Sequence, residues 1–350
     1  MAVTTDGKSR VTGPCPVVAL VGPTAAGKSQ AAFRVAEASW TAHASPAADP
    51  GALELVSVDS MAVYRGMDIG TTKPTPAERA AVPIHLVDLV DASEEFTVRQ
   101  FQDRGQRALS AVAARGHRAL LVGGAGLYLR ALVDDLRFPG RFPEVSAALE
   151  GGLSAAGPDG SPQRREALAG LHHRLSLLDP VAAGRIDPAN GRRLVRALEV
   201  TLGSGRPFSS FGPGLERYPS TPVVMVGMSV EPAELDRRIA DRFGRMMDAG
   251  LLDEVAGLAT GPGGLSATAR QALGYRELLD HLEKGVPLGR AVEEAVRRTR
   301  SFARRQMAWF RRDPRIRWMD ATSDPVEALG QVVGLHRRRP VSVGSWASTP

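Results

Sequence analysis

The sequence predicts an α/β fold: a parallel sheet flanked by helices, interrupted by an all-helical insertion. Three observations lead there. The motif Gly22-Pro23-Thr24-Ala25-Ala26-Gly27-Lys28-Ser29 follows the apolar run of residues 17–21 and opens a helix-forming run over residues 30–38. Short β-rich runs then alternate with helical periodicities as far as about residue 136, the pattern of a parallel sheet covered by helices. From Arg137 to Gly205 only helical periodicity remains, and strand character resumes over residues 223–230.

The motif is a complete G-x-x-x-x-G-K-[ST] phosphate loop with a strand before it and a helix after it, the context that gives such a match its meaning. The sheet is therefore of the P-loop NTPase type. Glycines let backbone N–H groups curl round phosphate oxygens, the helix N-terminus adds aligned dipoles, and Lys28 adds a full charge. Ser29 is placed to hold a Mg2+ that bridges phosphates. Residues 22–29 thus indicate a di- or triphosphate ligand, but not the reaction, because many chemistries share this device.

After the first helix, residues 40–51 are rich in Ala, Pro and Asp and predict a surface loop. Residues 53–58 predict a second strand that delivers Asp59 at its C-terminal end. Ligands of open α/β sheets sit beyond that end, so Asp59 is expected to face the crevice of Lys28. Residues 60–76 predict a functional loop, 85–90 a third strand, and 98–114 a helix. Residues 118–122 predict a fourth strand, ending in Gly123-Gly124-Ala125-Gly126 before a helix over 127–133. The insertion carries helices over 143–149, 164–178 and 192–202, and residues 203–222 form the return linker. Helices over 231–249, 288–312 and 326–335, with a last strand over 316–319, complete the core. The expected domains are residues 15–136 and 206–337 for the core and 137–205 for the insertion, with flexible tails at 1–14 and 338–350.

The 350 residues, 43% hydrophobic, suffice for two domains with a substantial core. Cys15 is the single cysteine, so an intrachain disulfide is impossible and a reducing compartment fits. The first fourteen residues lack the apolar core of a signal peptide, and no apolar run approaches the ~18–20 residues of a membrane span. The expectation is a cytoplasmic protein without membrane contact. A net charge of +6 permits a polyanionic partner without demanding one. The seven histidines and lone cysteine show no metal-ligand spacing, and no nucleophile–His–Asp arrangement is evident.

Three places could carry chemistry. Asp59 can be a general base, a carboxylate that meets Mg2+ through water, or the cap of a turn; its crevice position favours the base. Arg238, Arg242 and Arg245 share one helix face at spacings of four and three. That face is either solvated or turned to the phosphates, where it would stabilise a leaving diphosphate. Nine arginines lie between Arg297 and Arg317 against one acid, Asp313. On a helical wheel Arg297, Arg298, Arg300, Arg304, Arg305, Arg311 and Arg312 form one broad face, with Phe302, Trp309 and Phe310 beside or opposite it. Arginine at this density favours binding to nucleic-acid phosphates over a merely solvated face.

Together these stretches resemble one family, the bacterial tRNA dimethylallyltransferases, also called isopentenyl-tRNA transferases. The specific matches are Asp59-Ser60-Met61-Ala62-Val63-Tyr64-Arg65-Gly66-Met67-Asp68-Ile69-Gly70-Thr71 and Arg304-Arg305-Gln306-Met307-Ala308-Trp309-Phe310-Arg311. Further matching stretches are residues 22–29, 121–129, 193–200, 242–255 and 274–277. The resemblance implies transfer of a five-carbon group from dimethylallyl diphosphate to N6 of the adenosine just 3′ of the anticodon, with Mg2+. It implies that Gly22, Pro23, Thr24, Ala25, Ala26, Gly27, Lys28 and Ser29 cradle the diphosphate of an isoprenoid rather than ATP. Asp59 would accept the N6 proton, and Arg242 with Thr24 would balance charge on the leaving group. The tRNA contacts it implies are Asp59, Ser60, Met61, Ala62 and Ala125, then Ser146 and Arg192, Arg193, Leu194, Val195 and Arg196 in the insertion. Gln271, Gly274, Tyr275 and Arg276 follow, then Arg304, Arg305, Gln306, Trp309 and Arg311. The insertion would clamp the anticodon stem-loop of a tRNA, and the protein is expected to be a monomer.

This chain departs from the family pattern at three places. Ala62 stands where the family usually has Gln, Ala125 where it has Thr, and Ser146 where a basic residue is frequent. The first two remove hydrogen-bonding groups near the adenosine and leave the orientation of Asp59 less determined. Two rivals stay open at this level: a small-molecule kinase or NTPase using ATP, and a tRNA-binding protein without activity.

Overall fold

The computed structural model describes residues 17–41, 52–212, 214–321 and 324–334. The tails expected at 1–14 and 338–350, Cys15, and most of the loop over 40–51 lie outside the described residues. The chain divides into two compact units, one made of the residues up to Asp135 and from Ser220 onward, the other of Leu136–Pro219.

The first unit is built on a six-stranded sheet of order β3-β2-β4-β1-β5-β6. Its strands are β1 (Val18–Val21), β2 (Leu53–Val58), β3 (Ile84–His85), β4 (Arg118–Gly123), β5 (Val224–Ser229) and β6 (Ile316–Asp320). Every pairing is parallel. Central strands of such a sheet are covered on both faces, so they read as continuous apolar runs. All four residues of β1 are buried. Alternate residues serve opposite faces: Ala19, Val21, Val56, Val58 and Leu121 join one core, and Val18, Leu20, Leu53, Leu55, Leu120 and Val122 the other.

Register sets up the site. Val21 pairs with Gly123, and Gly123 pairs with Val58. β1, β4 and β2 therefore end level, and Gly22, Gly124 and Asp59 leave the sheet side by side at its C-terminal edge.

The helices of this unit follow their local signals. α1 (Lys28–Thr41) begins inside the phosphate loop. α2 (Pro76–Ala81) and α3 (Val98–Ala114) open on capping boxes, Thr75 with Glu78 and Thr97 with Gln100. α4 (Gly126–Val133) follows β4. In the second unit come α5 (Pro143–Ala155), α6 (Pro162–Leu178), α7 (Pro180–Ala183) and α8 (Gly191–Ser204). The first unit resumes with α9 (Pro232–Asp248), α10 (Leu251–Thr260), α11 (Tyr275–Lys284), α12 (Leu288–Phe310) and α13 (Pro325–Val332). Among the described residues no helix is long and apolar enough to cross a membrane.

Two expectations change. The third strand, expected over 85–90, shrinks to Ile84–His85 because Leu86 and Asp88 adopt left-handed φ angles of 63° and 53°, which an extended run cannot contain. The turn at Asp88 places its carboxylate between Lys73 Nζ and Arg79 Nη1, each 2.6 Å away. The return linker, expected over 203–222 with the core resuming at residue 206, instead stays with the helical unit through Pro219. There Phe208 N–H donates to Thr201 Oγ1 at 3.2 Å, and Ser209 N–H donates to the buried Asp179 at 2.7 Å. The unit's own core is Leu149, Leu153, Leu175, Leu194 and Leu198.

At the opposite end of β2 from Asp59, Glu54 is a buried carboxylate, 1% exposed. Arg115 donates to both its oxygens at 2.9 and 2.7 Å, and His117 Nδ1 and His85 Nε2 lie at 2.6 and 2.5 Å. Burial alone would raise its pKa, but the hydrogen bonds from His85, Arg115 and His117 outweigh it and hold the carboxyl well below the usual range. A depressed carboxylate contributes stability that is present above its unfolded pKa, about 4.3, and lost as pH falls through the folded value. Glu54→Gln should therefore destabilise the protein by about 2–3 kcal/mol at pH 7. The deficit against wild type should narrow below about pH 4, read from denaturant melts across that range. A deficit that does not vary with pH would contradict the role given to the charge.

Candidate active site

Gly22 must be glycine. Its φ is +147°, and a Cβ would stand 2.7 Å from the Met228 carbonyl oxygen of β5. Past it the chain turns through Ala25, itself left-handed at φ 63°, and reaches the first turn of α1. Lys28 is buried, and its ammonium donates to the Pro23 carbonyl at 2.6 Å. Burial, and secondly the charge of Arg242, lower its pKa to about 7, while Asp59 opposes the shift. A lysine folded back onto its own loop in this way is a charge waiting for an anion.

Thr24 is held from two sides. Arg242 Nη1, from α9, donates to Thr24 Oγ1 at 3.0 Å. Gln306 Oε1, from α12, accepts the Thr24 N–H at 2.8 Å. Arg242 is half-buried. Its pKa is lowered by burial and by Arg245 and supported by Asp59, yet a guanidinium remains charged. Of the three arginines on this face only Arg242 meets the loop; Arg238 is paired with Glu234 at 2.6 Å.

Asp59 follows β2. Its Oδ1 accepts the N–H groups of Met61 and Ala62 at 2.7 and 3.2 Å, an Asx turn that fixes the carboxylate plane. Among the described residues nothing is bonded to Oδ2. Asp59 stands in electrostatic reach of Lys28, Arg242 and Tyr128, beyond the level ends of β1, β4 and β2. Tyr128, on α4, has its pKa pushed up to about 12 by burial, then by Tyr64 and Asp59. The sequence reading missed Tyr128; its only local signal is its place just past the glycine-rich end of β4.

The loop after Asp59 is clamped by another residue that the reading did not single out. The Glu254 carboxylate accepts N–H from Asp68, Ile69 and Gly70 at 2.9, 2.7 and 3.1 Å, and Tyr275 Oη donates to it as well. Lys73, its side chain 1% exposed, donates to the Tyr64 carbonyl at 2.5 Å.

The residues expected to touch RNA divide by burial. Ser60, Met61 and Ala125 are half-buried, and Gln271, Arg276, Arg304, Arg305 and Arg311 are exposed. In the helical unit Arg192 and Arg193 are exposed, and Ser146 Oγ is 3.3 Å from Glu150. Ala62, Gly274, Tyr275, Leu194, Val195 and Gln306 are buried. Arg196 is occupied by Glu199 at 2.8 Å and by the carbonyls of Pro139 and Gly140. Trp309 lies against Gly126.

The broad basic face of α12 also shrinks. Arg297 pairs with Glu294 at 2.6 Å, Arg298 with the buried Glu277 at 2.5 Å, and Arg300 donates to the Asp236 carbonyl. Beyond the helix, Arg315 is spent on Asp134 and Asp313. The helical wheel placed Arg297, Arg298 and Arg300 together, but Glu294 of the same helix takes the first, and Glu277 and Asp236 of neighbouring helices take the other two. Arg304, Arg305, Arg311 and Arg312 remain exposed.

Comparison with known proteins places this geometry. The family model described as IPP transferase matches residues 62–313. A tRNA dimethylallyltransferase of Kineococcus radiotolerans is 46% identical over 322 residues, covering 91% of this chain and 96% of that protein. The crystal structure of a tRNA isopentenylpyrophosphate transferase from Bacillus halodurans aligns with TM-score 0.61 and 33% identity, covering 91% and 95% of the two chains. A eukaryotic dimethylallyltransferase shares the fold, with TM-score 0.67 at 22% identity over 91% of this chain and 78% of that one. A phosphate loop that opens beside a strand-end aspartate, within a match covering most of the sequence, makes this chain a member of the IPP transferase family.

Proposed function

We propose that this protein transfers the dimethylallyl group of dimethylallyl diphosphate to N6 of the adenosine immediately 3′ of a tRNA anticodon, releasing diphosphate. The observation that carries the reading is the crevice in which Asp59 stands in electrostatic reach of Lys28 and Arg242. An exocyclic adenine amine is a poor nucleophile, since its lone pair is spread into the ring. The reaction needs a base for the N6 proton and a well-stabilised leaving group. Asp59, oriented by its Asx turn, is the base. Lys28, the loop N–H groups, and Arg242 with Thr24 hold the diphosphate and take up the charge that develops as the C–O bond breaks and the C–N bond forms. The adenosine must leave its stack to arrive there, which costs a few kcal/mol.

The residues present fit a Mg2+ cofactor. Ser29 is exposed at the first turn of α1, and no cluster of three His, Cys, Asp or Glu side chains forms a cage among the described residues. Such a donor set suits an ion that takes most of its octahedral shell from substrate phosphates and water. When bound, it would neutralise diphosphate charge. The remaining partner is the anticodon stem-loop of a tRNA, met by Arg304 and Arg305 of α12 and Arg311 just past its end, and by Arg192 and Arg193 on α8. The working form is a cytoplasmic monomer.

The deciding experiment incubates the protein with labelled dimethylallyl diphosphate and unmodified tRNA. Label should appear on the adenosine beside the anticodon, and diphosphate should be released only when tRNA is present. Phosphate release from ATP under the same conditions, or no label on RNA, would overturn the reading. RNA affinity should fall with salt at a log–log slope of about −0.7 to −0.9 per phosphate neutralised. Arg305→Ala combined with Arg311→Ala should reduce that slope by roughly one to two units, measured by filter binding from 50 to 300 mM salt on the order used for such titrations. A slope unchanged by the double substitution would remove these arginines from the interface.

A further inference from the structure

We infer that Gln306 is a positioning residue that holds Thr24 and the turn after β4 in working register, although its neighbours on α12 are basic and exposed. The inference rests on the reaction proposed above. Gln306 is buried, and its amide joins two loops that are remote in sequence. Oε1 accepts the Thr24 N–H at 2.8 Å, and Nε2 donates to the Gly124 carbonyl at 2.9 Å. One partner is a donor and the other an acceptor, so the amide's orientation follows from chemistry. No other side chain of this length offers both on one plane without first taking up a proton.

The approach is tight. A Cβ on Gly124 would stand 2.3 Å from Gln306 Nε2, so the turn after β4 admits the amide only because residue 124 has no side chain. Thr24, anchored through its N–H by Gln306, takes Arg242 on its hydroxyl. Gln306 thereby sets where Thr24 and Arg242 meet the leaving group, while Arg304 and Arg305 beside it point to solvent. Substitution should harm diphosphate use and leave RNA binding alone.

The test measures steady-state kinetics of the full chain for Gln306→Met, Gln306→Glu and Gly124→Ala, with each substrate varied in turn. Gln306→Met leaves two part-buried backbone groups without their partner and should cut kcat/KM for dimethylallyl diphosphate by about 10- to 100-fold, with KM for tRNA unchanged. Gly124→Ala should reproduce that pattern by displacing the amide. Gln306→Glu keeps the acceptor for Thr24 but faces an oxygen with the Gly124 carbonyl; protonation restores a donor. Its activity relative to wild type, measured well below the Tm of both proteins so that the pH dependence of folding does not enter, should therefore rise as pH is lowered from 8 to 6. Wild-type kinetics in all three variants would overturn the inference. So would a loss seen mainly in KM for tRNA, which would make Gln306 an RNA contact. If the wild-type protein transfers no label to tRNA, the proposed reaction fails instead. Calorimetry with inorganic diphosphate then still reads the strut: weaker binding by Gln306→Met supports it, and equal binding rejects it.

Discussion

Asp59→Asn should lower kcat by about 10²–10⁴ and leave tRNA binding intact. Asparagine keeps the Oδ1 acceptor for Met61 and Ala62 N–H, so the turn survives and the missing element is the base itself. Without it the N6 proton must pass to water, a far weaker base than a carboxylate. Single-turnover rates with saturating tRNA, set beside filter-binding affinity, separate the two effects. Turnover within about threefold of wild type would show that Asp59 is a turn cap, since a positioned base contributes far more than that. A parallel loss of tRNA binding would show that the substitution had collapsed the loop.

Arg242→Gln is expected to lower kcat by about 10²–10³, equivalent to roughly 2.7–4 kcal/mol of lost stabilisation of the developing charge. KM for dimethylallyl diphosphate should move much less. Arg242 is the second cause, after burial, that lowers the pKa of Lys28. Removing it lets Lys28 hold its proton to higher pH, so ground-state attraction for the diphosphate is partly recovered while the contact to Thr24 is lost. Initial rates at pH 8 with diphosphate substrate varied would check this split. A change confined to KM would assign Arg242 to substrate capture instead of to the leaving group.

Much of this was legible in the chain because it was local. The phosphate loop, β2 with its terminal aspartate, and α3 are set by short-range patterns: a glycine-rich turn, alternating apolar residues and a Thr97–Gln100 capping box. The expected bounds of β2 and α3 match the observed ones. α10 and α11 were not anticipated, although Leu251 and Val255, and Tyr275 with Leu278 and Leu279, show helical spacing. Glycines around them at 250, 257, 261 and 285 interrupt the pattern. β3 was over-read because left-handed turns at Leu86 and Asp88 have no glycine to announce them.

The sequence alone determined most of the strands, the phosphate-loop motif, and which strand carries Asp59, because each depends on residues a few places apart. Only the tertiary structure decided who meets whom. It tied Arg242 to Thr24 across 218 positions and Gln306 to Thr24 across 282. It also drew Arg298 of the basic face toward the buried Glu277. Charges and amides have no periodicity of their own; their partners are set by how the sheet order and helix packing bring distant backbone together.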